Sequence, residues 1–524
     1  MSQMLKSSGA MAAATLTSRV LGMVREMVYA AFMGNGPVAS AFILAFQVPN
    51  LFRRLLGEGA LTAAFIPIFK QKESTHGEAE MWRTANAVIS GLVTAAAGVT
   101  VLAVLGISIA LVAGKGHWDD ETVLMLRLLR LMFPYMLLVC LAAVFIGMAN
   151  ARGHFFVPAL GAVLLNVIMI ASVLLLAPRM GVTLEQQIFG LAIGVLVAGL
   201  AQAFFQVPTL MREGYRYHWV TPWHDPTVRE VVRKMLPGSI GVAAFQINVL
   251  LTQCFSFWFG KSIVATFNYS VRLMELPQGM FGISLATYLL PTLSGLAAAK
   301  KYPEFRRTLG QGLSYLAFAN LIASGIALSL AVPIVRLIFE HGKFGPDATQ
   351  RVALSLACLA PGLLMFSMNN ILARAFYALN DIQTPMRISV LCLVLNLVFA
   401  FWLVQPYREA GLGVANTLSA SLNLALLVYA LRRKLKDLRL QEVGQTLLVL
   451  VPAAALGSVI AGVLGWLWER NLGHGTLPAK LGAVFVPGGI AVLVYWLAAL
   501  WAKVPAAREM ADLIFKRFRR ARGG

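Results

Sequence analysis

Charge is scarce in this sequence. Asp, Glu, Lys and Arg make up 13% of its 524 residues, about half the share of a soluble globular domain. Acid is scarcer still: 23 Asp and Glu face 44 Lys and Arg, for a net charge of +21. The four cysteines (Cys140, Cys254, Cys358, Cys392) are scattered through apolar runs, which excludes a disulfide framework or a metal-ligand cluster. They read as small core hydrophobes. All seven histidines fall in loops or near the ends of apolar runs, and no HExxH occurs. "FGKS" at 259–262 imitates the end of a phosphate loop, but Phe255 stands where that motif needs glycine. The adjacent carboxylates of "WDDET" (118–122) read as a solvated turn. No acid–base pair lies at membrane depth, so nothing here resembles an enzyme active site. Nor is there strand-like alternation over about ten residues, which excludes a transmembrane barrel.

What is present is apolar length. Hydrophobic residues make up 58% of the chain, and its mean hydropathy is +0.73. Runs of roughly 20 residues recur, enough to cross a bilayer core of about 30 Å. The pattern predicts an all-α polytopic membrane protein with about fourteen transmembrane helices. They fall near 8–33, 38–69, 84–113, 123–150, 156–177, 186–211, 232–259, 263–297, 308–332, 351–379, 386–404, 411–431, 446–468 and 481–502. The first run continues through Ser18 and Arg19 with no small-residue cleavage site, so it reads as a retained helix rather than a signal peptide. On this layout 27 of the 44 basic residues fall in loops and ends on the amino-terminal side, against 11 on the other. The bias predicts two cytoplasmic termini. The basic tail "IFKRFRRARGG" is suited to anionic lipid, and without a soluble domain it gives no case for nucleic acid.

The prolines repeat. Pro49, Pro67, Pro134 and Pro158 recur as Pro277, Pro291, Pro361 and Pro385, at offsets of 224 to 228 residues. A six-helix repeat places both copies in the same orientation, an arrangement found in transporters with a substrate site between the halves. It divides the chain into a first lobe (1–228), a second lobe (229–440) and a remainder with helices 13 and 14 and the basic tail (441–524).

Six arginines lie inside spans: Arg19, Arg25, Arg53, Arg54, Arg272 and Arg374; only Glu26, Glu58 and Glu275 accompany them. An arginine at mid-helix costs about 2.5–3.5 kcal/mol on insertion scales. Arg374 sits near a helix end and can snorkel. Arg54 and Arg272 have Glu58 and Glu275 at helical spacing. Arg25 shares a helix face with Ser18, and Arg19 shares another with Glu26. Arg53 follows a proline that opens backbone groups. A net-positive cavity fits an anion, and the planar guanidinium fork fits phosphate. Repeat logic lets Arg25, Arg53 and Arg272 converge at the centre.

Three stretches then carry a resemblance. "TSRVLGMVRE", "AFQVPNLFRRLLGEGALTAAFIPIF" and "YSVRLMELPQGMFGISLATYLLPTLS" resemble signatures of the MurJ/MviN lipid II flippases, in the multidrug/oligosaccharidyl-lipid/polysaccharide exporter superfamily. The resemblance implies transport of undecaprenyl-diphosphate-linked peptidoglycan precursor from the cytoplasmic to the periplasmic leaflet of the inner membrane, by alternating access. It implies a role in cell-wall biogenesis, with lipid II, membrane lipids and other cell-wall synthesis proteins as partners; from the residues themselves no cofactor or metal-ligand set is expected. Helices 13 and 14 would hold the polyprenyl tail. The family's cavity arginines match Arg19, Arg25, Arg53 and Arg272. Ser18, Glu26 and Asn166 complete the expected substrate-binding set. The chain departs from the family at Glu26, Ser40 and Val271, where Asp is common. These changes make the cavity more cationic and disfavour carboxylate-based ion coupling. Three rivals stand beside this reading: a flippase for another polyprenyl-diphosphate glycan, a multidrug or cation antiporter of the same superfamily, and a polyprenyl-phosphate glycosyltransferase. The antiporter would want buried carboxylates, and the enzyme a buried acid–base pair.

Overall fold

The computed structural model describes residues 2–55, 61–435 and 440–512. Among them all regular structure is helical. Thirteen of the fourteen expected spans fall on helix or on a bent run of helices, and the second, 38–69, is helical in its described residues, 38–55 and 61–69. Seven described helices are long and apolar enough to cross a membrane, or nine if each of two bent pairs is one span. The first helix, Ser2–Met33, is not among the seven; it carries Arg19, Arg25 and Glu26.

The chain forms two compact units, one of residues 1–265 with 341–344 and the other of 266–340 with 345–524. In the first unit the opening helix packs on Phe156–Ala171, and Pro37–Phe52 packs on Asp120–Met132. Elsewhere in this unit the core is aromatic: Phe65 and Phe69 of Leu61–His76, Trp82 of Glu78–Ala113, Phe145 of Tyr135–Ala151 and Tyr215 form one cluster. Arg152 pairs with Glu73 (2.5 Å), Glu78 and Glu213 (2.9 Å each). In the second unit Tyr302–Ser329 packs on Leu440–Leu472, which packs on Leu477–Trp501. The last two helices therefore belong to the second unit's core.

Proline explains the breaks, and the breaks repeat. A proline has no N–H to give to the carbonyl four residues back, so the helix bends or ends there. Asp120–Met132 and Tyr135–Ala151 meet at Pro134 with a 40° bend, and Pro346–Leu359 and Gly362–Ala378 meet at Pro361 with a 45° bend. Pro158 and Pro385 each stand third in their helices. Pro49 is followed by a π-helical turn at 53–55, and Pro277 by one at Gln278–Ile283. π-Helix is rare; these two turns fall at corresponding positions of the expected repeat, while a third, Ser172–Leu176, has no counterpart in the other half among the described residues.

The 53-residue helix Gln383–Leu435 is two helices. Arg408, at φ 51° and ψ −128°, breaks it at the boundary expected between the eleventh and twelfth spans. Gly411 allows the tight return, since a Cβ there would lie 2.1 Å from the Leu403 carbonyl oxygen.

Candidate substrate-binding site

The first unit brings four of the expected residues together. One side-chain amide, Asn166 on the helix Phe156–Ala171, spans the seven residues from Ser18 to Arg25. Its Nδ2 donates to the Ser18 carbonyl oxygen at 3.1 Å, and its Oδ1 accepts from Arg25 Nη1 at 3.1 Å. Only this orientation of the amide satisfies both contacts, because a guanidinium can only donate and a carbonyl can only accept. Asn166 is itself buried. Gly22 lies opposite, where a Cβ would sit 3.9 Å from Asn166 Nδ2.

Glu26 takes the other arm of the fork: Arg25 Nη2 donates to its Oε1 at 2.6 Å. The acid thus serves Arg25 rather than Arg19, with which it was expected to share a face. Arg19 is exposed on the same helix. One helical turn beyond Arg25, Tyr29 places its ring 5.5 Å from the guanidinium carbon, within cation–π range. The Arg25 fork is therefore fixed in space by an amide, a carboxylate and an aromatic ring. Its buried Nε has no acceptor among the described residues.

Arg53 sits in the π-helical turn after Pro49, and its Nε donates to Asn50 Oδ1 at 2.8 Å. Asn50 is buried. Ser40, further up that helix, accepts from the backbone N–H of Ala265 at 3.0 Å. In the second unit Arg272 Nη1 donates to Glu275 Oε2 at 2.9 Å, with the two side chains 33% and 49% exposed. This is the pair that helical spacing predicts. Arg54 and Arg374 are half-buried. Glu58, expected beside Arg54, lies outside the described residues, as does the "GEGA" turn.

Tyr29 and Asn50 were missed from sequence. Each stands at helical spacing from an expected arginine, four residues after Arg25 and three before Arg53, and that spacing alone could have found them. Glu409 was missed for another reason: a loop was expected there, yet it is buried. No group of three or more His, Cys, Asp or Glu that could hold a metal occurs among the described residues.

The comparisons with known proteins bear on this arrangement. A family model described as lipid II flippase MurJ matches residues 29–482. The chain belongs to the MurJ family. A Vibrio cholerae relative named as a probable lipid II flippase MurJ is 32% identical over 481 residues, covering 88% of this chain and 89% of that one. A Burkholderia cenocepacia relative named lipid II flippase MurJ is 32% identical over 430 residues, covering 80% and 82%. Among solved structures, a lipid II flippase MurJ in an inward closed conformation superposes with a TM-score of 0.75 at 19% identity, over 94% of this chain and 98% of the other. An inward-facing multidrug transporter of the MATE family gives 0.65 at 13% identity, over 80% and 95%. Those two likenesses show the fold. MurJ is a family of flippases and not of enzymes, and this member is a multi-pass membrane protein.

Proposed function

We propose that this protein flips lipid II, the polyprenyl-diphosphate-linked peptidoglycan precursor, from the cytoplasmic to the periplasmic leaflet of the bacterial inner membrane. The observation that carries the proposal is Arg25. A half-buried arginine in an apolar protein needs a reason, and this one is held rigidly while keeping donors unspent. A diphosphate would complete it, because its oxygens match the fork's paired N–H groups. Rigid placement also lowers the entropy lost on binding.

Arg53 and Arg272 serve the same anion in this reading, with Ser18, Glu26 and Asn166 as the frame and Arg19 at the approach. The repeat divides the chain into six-helix lobes at 1–228 and 229–440, which alternate access because a charged headgroup cannot cross the apolar core at reasonable cost. The π-turns after Pro49 and Pro277 are the bending points. Helices 13 and 14 take the lipid tail. Both termini face the cytoplasm by the bias of basic residues.

The test is replacement of a depleted flippase. A bacterium losing its own flippase lyses and accumulates lipid-linked precursor inside; this protein restores growth and clears the precursor. Restored growth only with a different lipid-linked glycan would favour that substrate instead. For the motion, single cysteines along the Ser18–Arg25 face react with an impermeant thiol reagent from one side, and their reactivity changes when substrate is depleted. Positions that stay unreactive under every condition in a transporting protein would place the anion path elsewhere.

A further inference from the structure

Between the helical run ending at Arg212 and the helix Pro226–Phe259, residues 213–225 have no helix of their own. They are nevertheless pinned. Asn86 Nδ2 donates to the Arg216 carbonyl oxygen at 3.0 Å and lies 2.8 Å from His218 Nδ1. The Val220 N–H donates to Ser90 Oγ at 3.3 Å, and the Tyr217 hydroxyl lies 3.3 Å from the same oxygen. Tyr215 is buried against Trp82 and Phe145. Pro222 is buried over Gly91, where a Cβ would come within 3.3 Å of it. Asn86, Ser90 and Gly91 all belong to one helix, Glu78–Ala113, so the segment is a strap tied along it.

The strap's other face is unusual. Trp219 and Trp223 are 56% and 64% exposed, and neither indole N–H meets an acceptor among the described residues. Arg212, Arg216 and Arg229 are exposed beside them. The acids of the segment are turned away. Glu213 is held by Arg152 at 2.9 Å and His154 at 2.8 Å, and buried Asp225 accepts from the Thr227 N–H at 2.8 Å. The outward surface is therefore aromatic and cationic, with its carboxylates already engaged.

We propose that residues 212–226 are an interfacial anchor that seats the protein against anionic phospholipid headgroups. Indole suits that layer, since its ring is apolar and its N–H needs a polar partner. Arginines close to an anionic surface are attracted to it. The strap directly follows a helical run long and apolar enough to cross a membrane, Leu184–Arg212, so it starts close to the headgroups. A soluble protein partner is the competing occupant. The inference stands independently of the transported substrate.

The experiment uses the full chain in nanodiscs. Fluorescence of the protein is compared with that of W219F/W223F, and the difference isolates the two exposed indoles. That difference signal should be quenched by lipids brominated near the headgroup, more weakly by lipids brominated deep in the chain, and only slightly by aqueous iodide. Strong iodide quenching with no effect of brominated lipid would overturn the anchor and leave the face to a soluble partner. In a second arm, thermal unfolding midpoints are compared in phosphatidylglycerol and phosphatidylcholine discs. R212Q/R216Q/R229Q should lose the upward shift that phosphatidylglycerol confers while unfolding normally in phosphatidylcholine. An unchanged shift would refute the electrostatic half of the proposal. Phenylalanine and glutamine at exposed positions leave the pinned face intact, so a folding defect does not stand in for either result.

Discussion

Arg25 and Arg351 each sit in a helix of an apolar protein with a buried glutamate beside them, one in each compact unit, and they are held in opposite ways. Arg351 grips one carboxylate with two prongs: Nε donates to Glu409 Oε1 at 2.6 Å and Nη2 to Oε2 at 3.1 Å. The Glu409 backbone carbonyl is tied in turn by the Ser355 hydroxyl at 3.3 Å. This two-pronged pair braces the break at Arg408. Arg25 divides its fork between an amide and a carboxylate and leaves Nε facing no acceptor. Arg336 resembles Arg351, being buried and tied to Glu340 at 3.4 Å and also to Glu469. The difference teaches that burial alone does not mark a functional arginine. A fork closed on carboxylate holds helices together; in the function proposed above, one held rigid by an amide, a carboxylate and a ring keeps further N–H groups for a ligand.

The largest expected effect breaks the open side of the comparison. Arg25→Ala, Arg53→Ala or Arg272→Ala should abolish rescue of a flippase-depleted strain while membrane levels stay normal. Lysine should rescue poorly at Arg25, because an ammonium lacks the planar paired donors. Full growth with alanine at all three positions would end the diphosphate reading.

The closed side should behave differently. Glu409→Gln leaves Arg351 charged and half-satisfied, and breaking a buried pair this way destabilises by about 3 kcal/mol. Abundance and the unfolding midpoint should fall, while transport per folded molecule is retained. The double variant R351M/E409L should recover much of the lost stability, since two apolar groups leave no stranded charge. Transport lost at normal abundance in Glu409→Gln would show that this pair, too, lies on the anion's path.

Between these extremes is Asn166. It touches Arg25 without being a donor of positive charge, so Asn166→Leu should loosen the fork rather than remove it. A hydrogen bond to a charged group is worth about 1.5–3 kcal/mol, so transport should drop about tenfold or more, with folding preserved. Asn166→Gln, whose amide is displaced by one methylene, should fall between wild type and leucine. Equal activity in all three would mean that Arg25 is positioned by Glu26 and Tyr29 alone.

These contrasts were only partly legible in the sequence. Periodicity and proline showed the helices and their repeat, because a missing N–H acts locally and its consequence does not depend on the rest of the fold. The bends at Pro134 and Pro361 follow from that. Spacing along one helix likewise found Arg272 with Glu275. It did not show that Glu26 bonds to Arg25, since a face assignment says where a Cβ points and not where a flexible acid reaches. Glu409 was hidden because its burial depends on Arg351, 58 residues away, joined to it only by the return of the chain at Arg408. The π-turns were also illegible: proline signals a break, but the form of the break is decided by packing around it.

The smallest effect is expected from two ion pairs outside the spans, and it sharpens the comparison by showing what an exposed closed pair contributes. Lys434 donates to Asp381 at 2.6 Å and Lys261 to Asp119 at 2.7 Å. The Lys434 hydrogen bond, against a smaller effect of desolvation, holds the Asp381 carboxyl down at about 2. At Asp119 burial pushes upward, but the bonds from Lys261 and Thr122 outweigh it and hold that carboxyl also at about 2. An unfolded aspartate titrates near 3.9. A depressed folded value means that the stabilisation is complete above about pH 5 and is lost as the pH falls through 4 towards 2. The contribution of these pairs to the unfolding midpoint should therefore be constant, with no pH dependence, between pH 5 and 8. Because Lys434 and Asp119 are substantially exposed, solvent screening limits each pair to about 0–1 kcal/mol. Asp381→Asn should thus shift the midpoint only slightly at neutral pH, and the difference from wild type should shrink in acid. A large loss at pH 7, or one that grows as the pH is lowered, would mean that Asp381 braces the helix starting at Gln383 through its bonds to Thr384 rather than through its charge.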